Sequence, residues 1–222
     1  MSGSWRHWVL SSMLMLAACS AHALRLSAST LFIDLPQRHQ SLTLINDQPD
    51  PVEVSLSVVT WPLPGLPAGG AAHALVVPYP ARAILPPQGE QVFRLAYQGD
   101  KLDRPLAFRV VSRQRVMGGD APPGVDVSEV AFGVGGSFPL FINPEGSKPD
   151  VQVVRSGFSH LRLHNRGNGV AFVSTLQGTQ RGQRPTTLFV LPGLSRDLAL
   201  PADDAFLSVK VERQGWIDIP AR

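Results

Sequence analysis

A chain of 222 residues with a formal net charge of +3 at pH 7, 44% hydrophobic and 17% charged residues, is long enough for one large or two small domains. Its basic residues are scattered without a run of five or more, which gives nucleic-acid binding no support. With one cysteine, Cys19, an intramolecular disulfide is excluded, and thiol catalysis or cysteine-ligated zinc would rest on that single residue.

The first segment has the layout of an export signal. Arg6 supplies a short positive region, Trp8 to Cys19 is apolar or small, and Ala21-His22-Ala23 is an A-x-A cleavage site. The run is too short for a permanent membrane span. Residues 1–23 are therefore expected to be a signal peptide, with the mature chain starting at Leu24 and no thiol left in it. Leu16-Ala17-Ala18-Cys19 also fits a lipobox, the competing reading, in which Cys19 would be lipidated.

From Leu24 onward, short apolar alternations are separated by Pro and Gly clusters, the pattern of strands and turns. Strands are expected at Leu24 to Leu35, Ser41 to Ile45, Val52 to Trp61, Leu75 to Val77, Glu90 to Tyr97, Leu106 to Ser112 and Val125 to Ile142. Asn46 to Asp50 and Pro86-Pro87-Gln88-Gly89 supply turns between them, the latter through fixed proline φ and a permissive glycine. Pro62 to Ala72 and Val116 to Gly124 are expected to be loops. Seven strands at this spacing describe a sandwich.

Asn143 to Pro149 is a cluster of turn formers and is expected to be a linker. Beyond it, Val151 to Val154, His160 to His164, Ala171 to Leu176, Thr187 to Leu191, Asp197 to Leu200 and Phe206 to Glu212 alternate again. The chain is thus expected to be all-β, with domains over residues 24–145 and 146–222.

Motifs that would carry chemistry are weak. His160 and His164 have an H-x3-H spacing, but Leu161 and Leu163 alternate with them, and a strand rise of about 3.3 Å would hold the two rings roughly 13 Å apart. One metal does not bridge that. Gly133-Val134-Gly135-Gly136 lacks the G-x-x-x-x-G-K-[ST] pattern and a following helix, so it reads as a weakened strand or a bulge. No G-x-S-x-G elbow marks a nucleophile. Trp61 and Trp216 end or follow apolar strands and read as core or edge packing. Arg25, Arg94, Arg109 and Arg113 lie in or beside apolar strands, and several facing one cleft would make a carboxylate site.

The most informative stretch is Val125 to Pro144. It sets Val130, Phe132 and Val134 on one face of an extended strand with only Ala131 and Gly133 between them. Such a row fills the chain's own core or serves another protein's.

Over essentially its whole mature length the chain resembles the periplasmic chaperones of chaperone-usher pilus assembly. The resemblance is carried by Leu42 to Asp47, Val77-Pro78-Tyr79-Pro80, Leu85 to Leu95, Phe108-Arg109-Val110, Ser137-Phe138-Pro139-Leu140-Phe141 and Leu163 to Asn168. It implies two immunoglobulin-like β-sandwich domains arranged as a boomerang. It implies a periplasmic holdase that is not an enzyme and needs no cofactor. Pilus subunits and an outer-membrane usher would be its partners, and a self-capping dimer would protect the free donor strand.

On this likeness Val130, Phe132 and Val134 are the donor row inserted into the subunit. In the best-studied branch two basic residues hold the subunit's terminal carboxylate. The matching positions here are Thr30 and Pro139, neither of them basic, and the Pro-Leu-Phe run resembles the archaic, spore-coat-type branch. Arg94 or Arg109 is then the candidate anchor. A structural or adhesive surface β-sandwich, a pilus component, is the alternative reading.

Overall fold

The structure, a computed structural model, describes residues 24–66, 75–117, 133–156, 160–178, 182–200 and 206–219. The first unit carries β1 (Arg25–Leu26), β2 (Leu31–Asp34), β3 (His39–Ile45), β4 (Val52–Thr60), β5 (Val76–Tyr79), β6 (Arg82–Leu85), β7 (Glu90–Tyr97), β8 (Leu106–Val116) and β9 (Gly133–Asn143). They form two facing sheets, ordered β1-β3-β7-β5 and β2-β9-β8-β4-β6. Alternation explains what lies between them: Leu42 and Leu44 of β3, Phe93 and Leu95 of β7, Phe108 and Val110 of β8, and Leu140 and Ile142 of β9 all enter one buried cluster.

The second unit carries β10 (Val151–Arg155), β11 (His160–Asn165), β12 (Ala171–Gly178), β13 (Gln183–Val190), β14 (Ser195–Ala199), β15 (Phe206–Val211) and β16 (Gly215–Asp218). Its sheets run β10-β11-β14 and β13-β12-β15-β16, around a separate cluster that includes Leu161, Leu163, Val173, Val190, Val209 and Val211. The chain is therefore built of two β-sandwiches.

Four expectations change. Leu24 to Leu35 is not one strand, because β1 pairs with β3 in one sheet while β2 pairs in parallel with β9 in the other. The small residues Ser27-Ala28-Ser29 let the chain cross between sheets. Strand β8 runs on to Val116, since Arg113 and Arg115 sit on its outer face and still pair with Ser55 and Glu53 of β4. Two short edge strands, β6 and β16, are additional. In the Pro86 to Gly89 turn the left-handed residue is Gln88, at φ 57°, rather than glycine. Gly89 is needed for room instead, because a Cβ there would lie 2.6 Å from Pro86 Cγ.

Each sandwich is stapled by one buried asparagine. Asn46 donates to the carbonyls of Asp50, Leu85 and Pro86 and accepts from the Gln48 N–H. Asn165 donates to the carbonyls of Gly169 and Val190 and accepts from the N–H groups of Asp150 and Gly167. Gly167 fits there only as glycine, since a Cβ would lie 2.3 Å from the Lys148 carbonyl oxygen. Asn165→Ala removes the partner of four backbone groups, and urea unfolding of the second unit is expected to register a loss of about 3 kcal/mol. A loss below about 0.5 kcal/mol would mean that water replaces the amide there.

Candidate functional site

Among the described residues, the side of β9 that faces away from β8 has a neighbouring strand over only part of its length. Strand β8 pairs with β9 from Gly133 to Ile142, with a bulge that leaves Gly135 unpaired between the Arg113–Val134 and Ser112–Gly136 partners. On the other side β2 pairs only with Leu140 to Asn143. Among the described residues, Gly133 to Pro139 thus present a row of backbone donors and acceptors with no neighbouring strand, in line with β2. An exposed edge of this kind is a template for another strand. Of the expected donor row, Val134 lies in this open part opposite Arg113. Val130 and Phe132 lie outside the described residues.

The open edge ends where β2 begins. Leu31 and Ile33 point into the core, whereas Phe32 points out and stacks on Phe141 with ring centroids 5.6 Å apart. By alternation Thr30, just before β2, shares the face of Phe32. Its hydroxyl is buried and has no hydrogen-bond partner among the described residues. On β9, Ser137 and Pro139 share that outer face, and on β8 so does Arg109, whose register partner is Pro139.

Arg109 is held on three sides. Its Nε donates to Ser137 Oγ at 2.7 Å, one terminal nitrogen donates to the Ser137 carbonyl at 3.0 Å, and the guanidinium lies over the Trp61 ring 4.9 Å from its centroid. No carboxylate among the described residues pairs with it. A half-buried guanidinium without a counter-charge suits an incoming anion, above all a planar carboxylate.

Behind Arg109 lies a third apolar cluster, between the two sandwiches. Phe141 is fully buried there, and Phe32, Trp61 and Leu63 from the first unit meet Phe189, Leu191 and Leu194 from the second. The rings are continuous: Trp61 meets Phe141 at 5.8 Å and Phe189 edge-on at 6.2 Å, and Phe189 stacks on Phe172 at 5.2 Å. A polar clasp joins the same units, where Asp34 accepts from Asn143 at 2.8 Å and pairs with Arg213 at 3.0 Å. Arg213 also donates to the Ser147 carbonyl, and Val170 N–H donates to Asn143 Oδ1.

The other expected residues do not converge on this place. Arg94 is exposed on β7, in the opposite sheet, beside Tyr79, Pro80, Gln91 and Val92. Arg25 pairs with Asp47 at 3.5 Å, and Arg113 is exposed further along β8. His160 and His164 sit at the two ends of β11, with His164 Nδ1 3.0 Å from Ser195 Oγ. Trp216 is at the edge, 45% exposed, but Trp61 belongs to the junction rather than to a single core. Groups with shifted proton affinity lie elsewhere: burial pushes the Tyr97 phenol up, and the hydrogen bond from Arg162 holds the Asp197 carboxyl down. Ser137 and Trp61 were not legible as site residues, because only the fold brings them beside Arg109, and Thr30 stood out only as an anchor position that lacks a basic residue.

No family model and no curated protein matches the chain. Among solved structures, it is similar to a chain of the CsuC–CsuE chaperone–tip adhesion subunit pre-assembly complex of archaic chaperone-usher Csu pili from Acinetobacter baumannii. That match has 19% identity and a TM-score of 0.53, and covers 89% of this chain and 98% of that one. It is similar to the E. coli chaperone DraB at 22% identity and TM-score 0.56, covering 90% and 96%. It is also similar to a chain of the Salmonella enterica SafA pilin–SafB chaperone complex at 16% identity and TM-score 0.59, covering 90% and 95%. Across nine-tenths of its length the chain has the two-domain β-sandwich fold found in those structures.

Proposed function

We propose that the protein is a periplasmic chaperone that holds pilus subunits by donor-strand complementation and passes them to an outer-membrane usher. The observation that carries this reading is the open edge of β9 between Gly133 and Pro139, in a fold shared with chaperones solved in complex with a pilin or a tip adhesion subunit. A subunit strand added there gains main-chain hydrogen bonds, and the alternating row Val130, Phe132 and Val134 supplies side chains for the groove of a subunit that lacks a strand. Residues 1–23 direct export, residues 24–145 form the donor domain and residues 146–222 the second. The Pro-Leu-Phe run favours the archaic branch.

The anchor in this reading is Arg109 with Ser137 and Thr30. A strand that joins β9 in the direction of β2 runs toward Thr30, so its carboxyl end meets a guanidinium and a hydroxyl that have, among the described residues, no counter-charge and no partner respectively. Arg94, on the opposite sheet, is out of line with that edge.

Fractionation of cells expressing the full chain tests the proposal. The protein should be recovered from the periplasm in a one-to-one complex with a subunit that aggregates when isolated. Recovery only in sheared surface fibres would replace the chaperone by a fibre component.

A further inference from the structure

The geometry points to Trp61 as the residue that positions the Arg109 guanidinium for a terminal carboxylate, with Phe189 of the second sandwich as its backing. This assignment rests on the anchor reading of Arg109 and extends it to a residue outside the open edge and to the other domain. An arginine on an exposed strand face ordinarily samples many rotamers, and fixing one costs conformational entropy when a ligand binds. Here the guanidinium already lies over an indole, 4.9 Å from its centroid, while Ser137 takes its Nε and one terminal nitrogen. The remaining terminal nitrogen has no partner among the described residues and is left to an incoming oxygen.

The indole is itself fixed. Its backbone N–H donates to the Ala107 carbonyl at 3.1 Å, and its ring is braced by Phe141 at 5.8 Å and, at 90°, by Phe189 at 6.2 Å. Phe189 comes from β13, so the second domain reaches the carboxylate site without touching the ligand. The first sandwich alone would leave Trp61 with one of these two ring contacts, and Arg109 on a looser shelf. A planar cation held over a ring and preorganised for a planar anion gains both cation–π attraction and a smaller ordering cost.

The test titrates the full chain with a short peptide of alternating valine and threonine, once with a free terminal carboxylate and once with a terminal amide. The readout is the ratio of the two affinities, which a merely structural loss would leave unchanged. The wild type should prefer the carboxylate by about tenfold, as expected for a charge-assisted pair. Trp61→Leu should lower that preference to about twofold, Trp61→Phe should keep most of it, and Phe189→Leu should fall between them. In an Arg109→Met background Trp61→Leu should add nothing. If Trp61→Leu keeps the full preference, or costs as much without Arg109 as with it, the positioning role is wrong while the anchor stands. If the wild type has no preference, or Arg109→Met retains it, the anchor reading itself fails and the role of Trp61 goes with it. Should Trp61→Leu not fold, Phe189→Leu and Trp61→Phe decide the same ratio.

Discussion

Phe132→Asp should abolish recovery of the complex between the protein and a pilus subunit, while the free protein folds as before. Phe132 is the largest side chain of the row Val130, Phe132 and Val134, and burying it in a subunit groove is worth about 3 kcal/mol in transfer terms. A carboxylate in the same groove would lack a partner and add a burial cost of its own, so the fall in affinity should be on the order of a hundredfold or more. In this reading Phe132 serves the groove of the subunit rather than the chain's own core, so the stability of the free protein should not move. Co-purification from the periplasm reads the first expectation and urea unfolding the second. Undiminished recovery with Phe132→Asp would remove the donor-row assignment. A parallel loss of folding would place Phe132 in the chain's own core.

Much of the architecture was legible because strands with one buried face alternate. Glu90 to Tyr97 was readable to the residue, since Phe93, Leu95 and Tyr97 are buried and Val92 and Arg94 face out. The ends of strands were harder, for a physical reason. In β8 the segment Arg113 to Val116 has polar residues on its outer face, and pairing with β4 is decided by backbone hydrogen bonds that composition does not reveal. The crossing between β1 and β2 depends on which sheet each segment joins, a long-range choice that a local pattern does not encode.

The candidate site was legible only in part, since arginines in apolar strands stood out but their neighbours did not. Arg94 and Arg109 look alike in sequence, each flanked by apolar residues, and they separate only when the register assigns them to opposite sheets. Trp61 looked like packing because an aromatic residue at a strand end usually is. Its second role comes from lying where two sandwiches and one guanidinium meet. Leu140-Phe141-Ile142 carries the same lesson. Consecutive apolar residues in a strand need cover on both faces, and here Leu140 and Ile142 face the first core while Phe141 faces the second domain.

That position makes Phe141→Ala the substitution expected to cost most in stability. Phe141 has no exposed surface, and its ring touches those of Phe32, Trp61 and Phe189 at 5.6, 5.8 and 5.0 Å. Truncation of a fully buried phenylalanine typically costs about 3–5 kcal/mol from lost transfer energy and the cavity left behind. Because both separate cores keep all their members, the loss should fall on the coupling between sandwiches rather than on either one. The polar clasp of Asp34, Asn143 and Arg213 would then be the main remaining link. Calorimetry should accordingly show one cooperative transition in the wild type and two in Phe141→Ala, the second domain melting apart from the first. Val154→Ala, at a side chain 57% exposed on β10, should leave the single transition in place. A single, scarcely shifted transition in Phe141→Ala would mean that the two sandwiches are coupled through the clasp and not through the aromatic cluster. In that case Arg213→Ala, which removes the ion pair to Asp34, would be the variant that separates them.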